Sequence, residues 1–401
     1  MVFLYDLSLA ELTEFCAGLG EKPFRARQLY SWLYGKGVND FSQMTDVPVS
    51  AREKLAANAR ADGLALSGTV SSSDGQTTKH LFGTDDAGFI ETVFMKYEGR
   101  NSVCISTQAG CRMGCRFCAS GMDGLVRNLS PSEMALQVIL SERAAGARIK
   151  NIVLMGVGEP LDNYSNVKKF IENITDDHGR DLSRRAITIS TCGLVPGIDR
   201  LAVELPQVNL AVSLHAPNDR LRGEIMPVTK RYGVREVVEA VERHYQATHR
   251  RPTFEYALIK GFNDGPGHAR ELAGLLRGMN CLVNLIPLNP PGASRGAGMA
   301  APGEAGMAAP GQNGFTRMQG AEHMDQQTGS GAETAERFRE ELGQRGIPAN
   351  QQTGSGAEAA ERFRDELGQR GIPATVRRSL GADIDAACGQ LRLRKTGIAE
   401  V

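Results

Sequence analysis

The chain has 401 residues with 46 basic against 46 acidic, so its formal charge is zero and any contact with nucleic acid must come from local basic patches. That length accommodates one large α/β domain together with a smaller one. The opening Met-Val-Phe-Leu-Tyr-Asp has no basic region followed by an apolar run, and no stretch approaches the ~18 apolar residues of a membrane span. With eight cysteines and no export signal, the expectation is a cytoplasmic protein with reduced thiols rather than a disulfide framework.

In chain order, apolar periodicity around Leu7–Leu19 and Ala26–Gly35 predicts a small helical accessory domain over residues 1–85. Its Lys22, Arg25 and Arg27 lie beside Tyr30, Trp32 and Tyr34, a mixture that suits RNA contact, while Tyr30 and Trp32 also read as ordinary core residues. Residues 86–401 read as one α/β domain. Short β-branched or apolar runs stand at Ser102–Ser106, Asn151–Met155, Ala186–Thr191, Val208–Leu214, Phe254–Ile259 and Leu282–Pro287. Helical stretches such as Met134–Ala144, Val167–Asn173, Val234–Tyr245 and Ala269–Leu276 separate them. The first helix opens on Ser130-Pro131-Ser132-Glu133, a capping box with proline in its first turn. Alternating strands and helices call for a parallel sheet, and six such units favour an open or partial (β/α)6 barrel. Ligands in such folds bind where the strands end at their carboxyl side.

One region breaks the pattern. Gly298–Gly303 and Gly306–Gly311 both read GMAAPG, and Gln326–Asn350 is nearly repeated by Gln351–Thr375. Two copies are too few for a solenoid. The second copy runs directly into Val376-Arg377-Arg378, so it is expected to supply the native helix. The first, with the Gly/Ala/Met stretch before it, is expected to form a flexible insertion over about Ser294–Asn350.

The chemistry concentrates at Gly110-Cys111-Arg112-Met113-Gly114-Cys115-Arg116-Phe117-Cys118. Three thiolates spaced CxxxCxxC on one loop can converge on one face of a 4Fe–4S cluster, leaving the fourth iron open. A zinc site ordinarily takes four protein ligands, and no second pair follows. A disulfide would leave one cysteine over. A second signature, Gly156-Val157-Gly158-Glu159-Pro160, follows the second predicted strand directly, where glycines allow close backbone approach and a carboxylate can hold an ammonium.

CxxxCxxC after the first strand, in register with GVGEP, resembles the radical S-adenosylmethionine (SAM) superfamily, in which SAM chelates the open iron and yields a 5′-deoxyadenosyl radical. The remaining cysteines narrow the resemblance. Cys104 lies seven residues before Cys111, and Cys388 lies within Gly381-Ala382-Asp383-Ile384-Asp385-Ala386-Ala387-Cys388-Gly389-Gln390-Leu391. With CRMGCRFCASG and GVGEPLDNY, this pair looks like the RlmN/Cfr family of RNA adenine methyltransferases, over roughly Phe24 to Arg394 apart from the insertion.

The resemblance implies a radical SAM barrel holding a 4Fe–4S cluster on Cys111, Cys115 and Cys118, and two SAM molecules per turnover. One SAM methylates Cys388; the radical from the second takes hydrogen from that methyl group; the carbon adds to an adenine ring. Attack by Cys104 on Cys388 then releases product as a disulfide forms. Glu91 matches the family's proton acceptor, with Cys104 a rival base. Gly158, Glu159, Ser190, Ser213, Leu214, His215 and Asn289 match its SAM-binding set. The implied substrates are 23S ribosomal RNA in the peptidyl-transferase centre and adenine 37 of transfer RNA, methylated at C2, with methylation at C8 the sister activity. Arg127–Leu129 leans to C2. The implied partner is a flavodoxin- or ferredoxin-like electron donor, and the chain reads as a monomer. Arg377-Arg378 and Arg392-Leu393-Arg394-Lys395 flank Cys388 and could grip phosphates. Cys16, Cys192 and Cys281 read as ordinary buried thiols, and Met95, Met113 and Met155 as packing.

Overall fold

The computed structural model describes residues 1–86, 88–288, 356–378, 380–387 and 389–391. Asn289, Cys388, Arg392–Lys395 and the expected insertion at Ser294–Asn350 lie outside the described residues.

Short strands β1 (Val2–Phe3) and β2 (Ala59–Arg60) pair in parallel and close a helical module of α1 (Leu9–Gly18), α2 (Phe24–Tyr30) and α3 (Val49–Asn58). Ser8 and Glu11 form the capping box that starts α1. Tyr30 and Tyr34 are buried, so the reading of these two as RNA contacts gives way to core packing. The Tyr30 hydroxyl donates to the Asn173 carbonyl at 3.0 Å, and that of Tyr34 donates to the Tyr5 carbonyl at 2.8 Å. Those hydroxyls satisfy the polar tip that a buried tyrosine must pair, and Tyr30 fastens the module to the rest of the chain. Arg25 is buried as well, whereas Lys22 and Arg27 are exposed.

Helix does not continue to residue 85. Beyond residue 63 the chain forms β3 (Leu64–Ser71) and β4 (Thr77–Thr84), which join β5 (Phe89–Tyr97) and β6 (Arg100–Cys104) in an antiparallel meander. The physical reason lies in the residues: threonine and valine favour a pleated surface, and Ser72-Ser73-Asp74-Gly75 is a turn between two such runs.

A small hairpin of β7 (Gln108–Gly110) and β8 (Leu125–Asn128) precedes α4 (Pro131–Ala145). The α4 start is the expected capping box, with the Glu133 carboxylate accepting from the Ser130 N–H at 2.9 Å. Strands and helices then alternate: β9 (Asn151–Leu154), α5 (Tyr164–Ile174), β10 (Ile187–Thr191), α6 (Val195–Glu204), β11 (Asn209–Ser213), α7 (Asp219–Ile225), α8 (Val234–Thr248), β12 (Thr253–Leu258), α9 (Pro266–Leu275) and β13 (Leu282–Pro287). After the gap, α10 (Ala357–Gly368) leads into β14 (Ala374–Val376).

One ten-stranded sheet runs β14-β13-β12-β11-β10-β9-β6-β5-β4-β3. Its members from β6 through β14 are parallel, so this is the expected open (β/α)6 type of barrel, extended at one edge by the meander. The duplicated segment's second copy does supply a helix of the fold. α10 buries Ala360, Phe363 and Leu367, and the Phe363 ring lies 5.1 Å from that of Tyr256. Parallel strands covered by helices are buried on both faces, which accounts for apolar runs such as Ile152, Leu154, Ile187 and Ile189 in the main core. A separate apolar cluster joins Val93, Met95, Cys104 and Val157 to Ile384, Ala386 and Leu391, so the C-terminal segment packs across the sheet's inner face.

Candidate active site

The carboxyl ends of β9 to β13 and the loop after β6 surround an open cleft, the place where ligands bind in such sheets. Cys111, Cys115 and Cys118 line it together with Gly158, Glu159, Ser190, Ser213 and His215, so residues far apart in sequence share one cavity.

The cysteine loop is shaped by the β7–β8 hairpin. Gly110 has φ +79°, and a Cβ there would lie 2.0 Å from the Gly124 carbonyl oxygen; only glycine permits the turn into Cys111. Burial pushes the Cys111 thiol up to about 12, with the neighbouring Cys118 sulfur adding to the effect. Burial also pushes the Cys115 thiol well up, with the Cys118 and Cys111 sulfurs next. Cys111 and Cys115, held protonated chiefly by burial, would become thiolates when a cation joins them and Cys118, the behaviour of a metal-binding donor set.

The GVGEP loop presses on the loop that follows β6. Gly158 has φ +111°, and a Cβ there would meet Gln108 at 2.6 Å. This brings Glu159 under the cleft, where its carboxylate accepts from the N–H groups of Leu161 (3.1 Å) and Cys192 (2.8 Å). Burial raises its affinity for a proton, and the hydrogen bonds from Cys192, Thr191 and Leu161 only partly oppose this. A buried carboxylate with neutral donors alone is suited to receive a cationic ligand group.

His215 sits at φ +58°, beside the end of β11. Its Nδ1 accepts from the Ala257 N–H at 2.9 Å, which leaves Nε2 as the ring donor. Burial, aided by Arg222, lowers its pKa to about 3, so the ring is neutral. The ring meets that of Phe117 edge-on at 4.8 Å. Leu214 is fully buried and does not line the cleft, although its N–H donates to the Glu255 carbonyl at 3.0 Å beside that wall.

Cys104 ends β6, is buried, and lines an adjoining cavity with Val93, Met95, Met155, Arg377, Arg378, Ala386 and Ala387. Met155, Ile286 and Arg377 line both cavities, so the two share a wall. The segment that flanks position 388 is tied down on both sides. The Ala119 N–H donates to the Gly389 carbonyl (2.8 Å) and the Ser120 hydroxyl to that of Leu391 (2.7 Å), both directly after Cys118. Opposite, the Ser73 N–H donates to Asp383 (2.8 Å) and the Lys79 ammonium to the Asp385 carbonyl (3.2 Å). Lys79 also lies 3.3 Å from Glu91, which is 1% exposed on β5.

Several cleft residues escaped the sequence reading. Glu255 lines the cleft, buried, with burial raising its proton affinity while Arg377 and Asn284 oppose it. A glutamate amid Phe254-Glu255-Tyr256-Ala257-Leu258 was the available signal, since a charge inside an apolar strand needs a reason. Cys192, Met113 and Met155, read as packing, are cavity-lining residues too.

The family model for the ribosomal RNA large subunit methyltransferase N-terminal domain matches residues 2–61, and that for the radical SAM superfamily matches residues 105–273. A probable dual-specificity RNA methyltransferase RlmN from Desulforamulus reducens is 42% identical over 98% of this chain and 96% of the relative. This chain belongs to the RlmN family of radical SAM RNA methyltransferases. An RlmN relative from Pelotomaculum thermopropionicum is 45% identical over 96% of this chain and 90% of its own length. The crystal structure of a radical SAM methyltransferase from Sphaerobacter thermophilus superposes with a TM-score of 0.81, at 42% identity, covering 98% of this chain and 100% of that one. RlmN-family membership implies a 4Fe–4S cluster and SAM as cofactors. The three crowded thiols and the buried, cation-free environment of Glu159 fit those groups.

Proposed function

We propose that this RlmN-family enzyme methylates carbon 2 of an adenine in 23S ribosomal RNA, and of adenine 37 in transfer RNA, by a methyl relay on Cys388. The observation that carries the reading is the pair of adjoining cavities, one lined by Cys111, Cys115, Cys118 and Glu159, the other by Cys104 and Ala387. When bound, the cluster and SAM together supply a 5′-deoxyadenosyl radical that abstracts hydrogen.

The chain's own residues take the remaining parts. Cys111, Cys115 and Cys118 are the proposed ligands, and Glu159, with Gly158, Ser190, Ser213, Leu214, His215 and Asn289, is proposed to hold SAM. The Glu159 carboxylate receives the ammonium, and the neutral His215 offers its Nε2–H to an acceptor. Cys388 carries the methyl group, because the C2 carbon of adenine is too electron-poor to attack a sulfonium methyl directly. Cys104 is the resolving thiol: its attack on the Cys388 sulfur breaks the bond to the product carbon, which takes up a proton to become the methyl group, and joins the two sulfurs; the adduct's unpaired electron would pass to the oxidised cluster, and a two-electron reductant later restores both thiols. Glu91 accepts the proton lost from the adenine carbon. Its place beside Lys79, which also grips the Asp385 carbonyl, supports that assignment over Cys104 as the base.

The reading includes the N-terminal helical module, ending at β2 rather than at residue 85, as an RNA-binding accessory region of a two-domain chain, with an electron donor of flavodoxin or ferredoxin class, a monomeric enzyme and a cytoplasmic setting. No helix among the described residues is long and apolar enough to cross a membrane.

Reconstituted enzyme incubated with SAM, reductant and unmodified 23S ribosomal RNA is expected to yield 2-methyladenosine in the nucleoside digest by mass spectrometry. Cys388→Ala is expected to lose that product while retaining SAM cleavage. An 8-methyl product would refute the C2 assignment, and full methylation by Cys388→Ala would refute the relay.

A further inference from the structure

Arg222, on α7, is the largest fully buried side chain among the described residues. Each of its five N–H groups has an acceptor. Nε donates to the Leu214 carbonyl (3.1 Å), Nη1 to the Thr229 hydroxyl (3.1 Å) and the Tyr232 carbonyl (3.4 Å), and Nη2 to the carbonyls of Cys192 (2.5 Å) and Ser213 (3.2 Å). All five acceptors are uncharged. Asp219, on the same helix, is engaged by the Val234 N–H at 2.6 Å. A guanidinium keeps its proton in proteins, and a buried charge is costly unless something opposite offsets it.

The offset lies across the cleft wall. The Arg116 N–H, between Cys115 and Cys118, donates to the Ile225 carbonyl at the end of α7 (2.9 Å). Met226, the next residue, packs in one apolar cluster with Cys115 and Cys192. The helix that carries Arg222 is therefore the seat of the cysteine loop. Burial opposes the charge on Arg222, and Cys192, then Cys115, then Asp219 favour it wherever those groups are ionised, as Cys115 would be on binding a cluster.

We infer that Arg222 is the fixed counter-charge of the iron–sulfur cluster, setting its reduction potential, while its five donors tie the loops after β10 and β11 into one SAM-binding wall. The inference rests on Cys111, Cys115 and Cys118 being the cluster ligands. Reduction adds one electron, here from dithionite, to a cluster held by three anionic thiolates; no bond forms or breaks. A fixed positive charge in a low-dielectric wall favours the reduced form, so its removal lowers the potential. Arg222 is a positioning residue, since all its donors are used within the protein.

The test is a redox titration of the anaerobically reconstituted holoenzyme, with the reduced cluster read by electron paramagnetic resonance and SAM affinity by equilibrium dialysis. In Arg222→Gln the ratio of reduced to oxidised cluster at a fixed solution potential should fall by about tenfold or more, equivalent to about 59 mV for a one-electron couple. Thr229→Asp puts a carboxylate where Nη1 donates, cancelling the charge while keeping the clamp. It should lower the ratio similarly and leave SAM affinity within about threefold, close to 0.7 kcal/mol. Arg222→Lys keeps the charge and loses the fork, so its ratio should stay within about threefold while SAM binding weakens by about tenfold. An unchanged ratio in Thr229→Asp, or a tenfold loss in Arg222→Lys, would overturn the inference. Should Arg222→Gln fail to load iron, Thr229→Asp alone decides. Wild-type enzyme that loads zinc, or that gives no cluster signal on reduction, would instead overturn the ligand reading beneath it.

Discussion

At the scale of single residues, the site works by withholding solvent from groups that would ordinarily be charged and wet. Glu159 is the clearest case. Two backbone donors hold its carboxylate beneath the cleft, and burial raises its proton affinity, so a cationic ligand group would relieve a standing cost. Glu159→Gln keeps the shape and removes the charge. Hydrogen bonds to charged groups contribute about 1.5–3 kcal/mol, so SAM affinity should fall by roughly 10- to 100-fold. Equilibrium dialysis of the reconstituted protein measures this, and an unchanged affinity would show that the ammonium binds elsewhere. His215 follows the same logic with opposite sign: burial keeps it neutral, and the Ala257 N–H fixes which nitrogen retains its proton.

At the scale of elements, what matters is which stretches must be in place before the cleft exists. α10 is one, because it covers β12 and β13 and delivers the chain into β14, after which Arg377 reaches the cleft. Phe363 is its largest buried anchor, 2% exposed and ring-to-ring with Tyr256. Phe363→Ala is expected to cost about 3–5 kcal/mol of unfolding free energy through lost burial and a residual cavity. Urea denaturation would read this, and a cost below about 1 kcal/mol would mean that α10 is dispensable to the sheet. The α4 capping box acts more modestly: Ser130→Ala is expected to cost about 1 kcal/mol, seen as a lower urea midpoint at unchanged slope. The start of α4 is further braced by Arg127, which pairs with Glu133 at 2.8 Å and so ties the β7–β8 hairpin to the helix.

At the scale of the whole molecule, three histidines among the described residues are buried in the neutral state. Burial lowers His80 and His244 to about 4, the latter with a contribution from Arg250, and His215 to about 3. Each folded pKa is depressed below the unfolded value near 6.5, so the unfolded chain binds more protons as pH falls. Their contribution to stability is complete above about pH 6.5 and is lost progressively as pH falls toward 4 and then 3. Between pH 7 and 5 each would account for a loss on the order of 2 kcal/mol. His244→Leu removes one share, since neither ring nitrogen of His244 has a hydrogen-bond partner among the described residues. Urea unfolding of the variant at both pH values should show a shallower acid loss than the wild type; parallel loss in the two proteins would contradict this account.

The sequence by itself determined the parts whose signal is local. Six parallel strands were legible as β-branched runs, the α4 start as a capping box, and the cysteine loop from spacing alone; the register of GVGEP against it was enough to place Glu159. The helical reading of residues 1–85 failed past Asn58, because the threonine- and valine-bearing runs on either side of Ser72-Ser73-Asp74-Gly75 form the β3–β4 hairpin, and β4 pairs on with β5 in the main sheet. Tertiary structure alone decided that Tyr30 and Tyr34 face inward, that Glu255 and Cys192 belong to the cleft, and that Lys79, beside Glu91, reaches Asp385 across 306 residues of chain. It also decided where Arg222 sits. An arginine in a short helix gives no sign in sequence of being fully buried, because its burial depends on five acceptors drawn from three separate stretches, the loop after β10, the end of β11 and the α7–α8 connection, and only the folded chain assembles them.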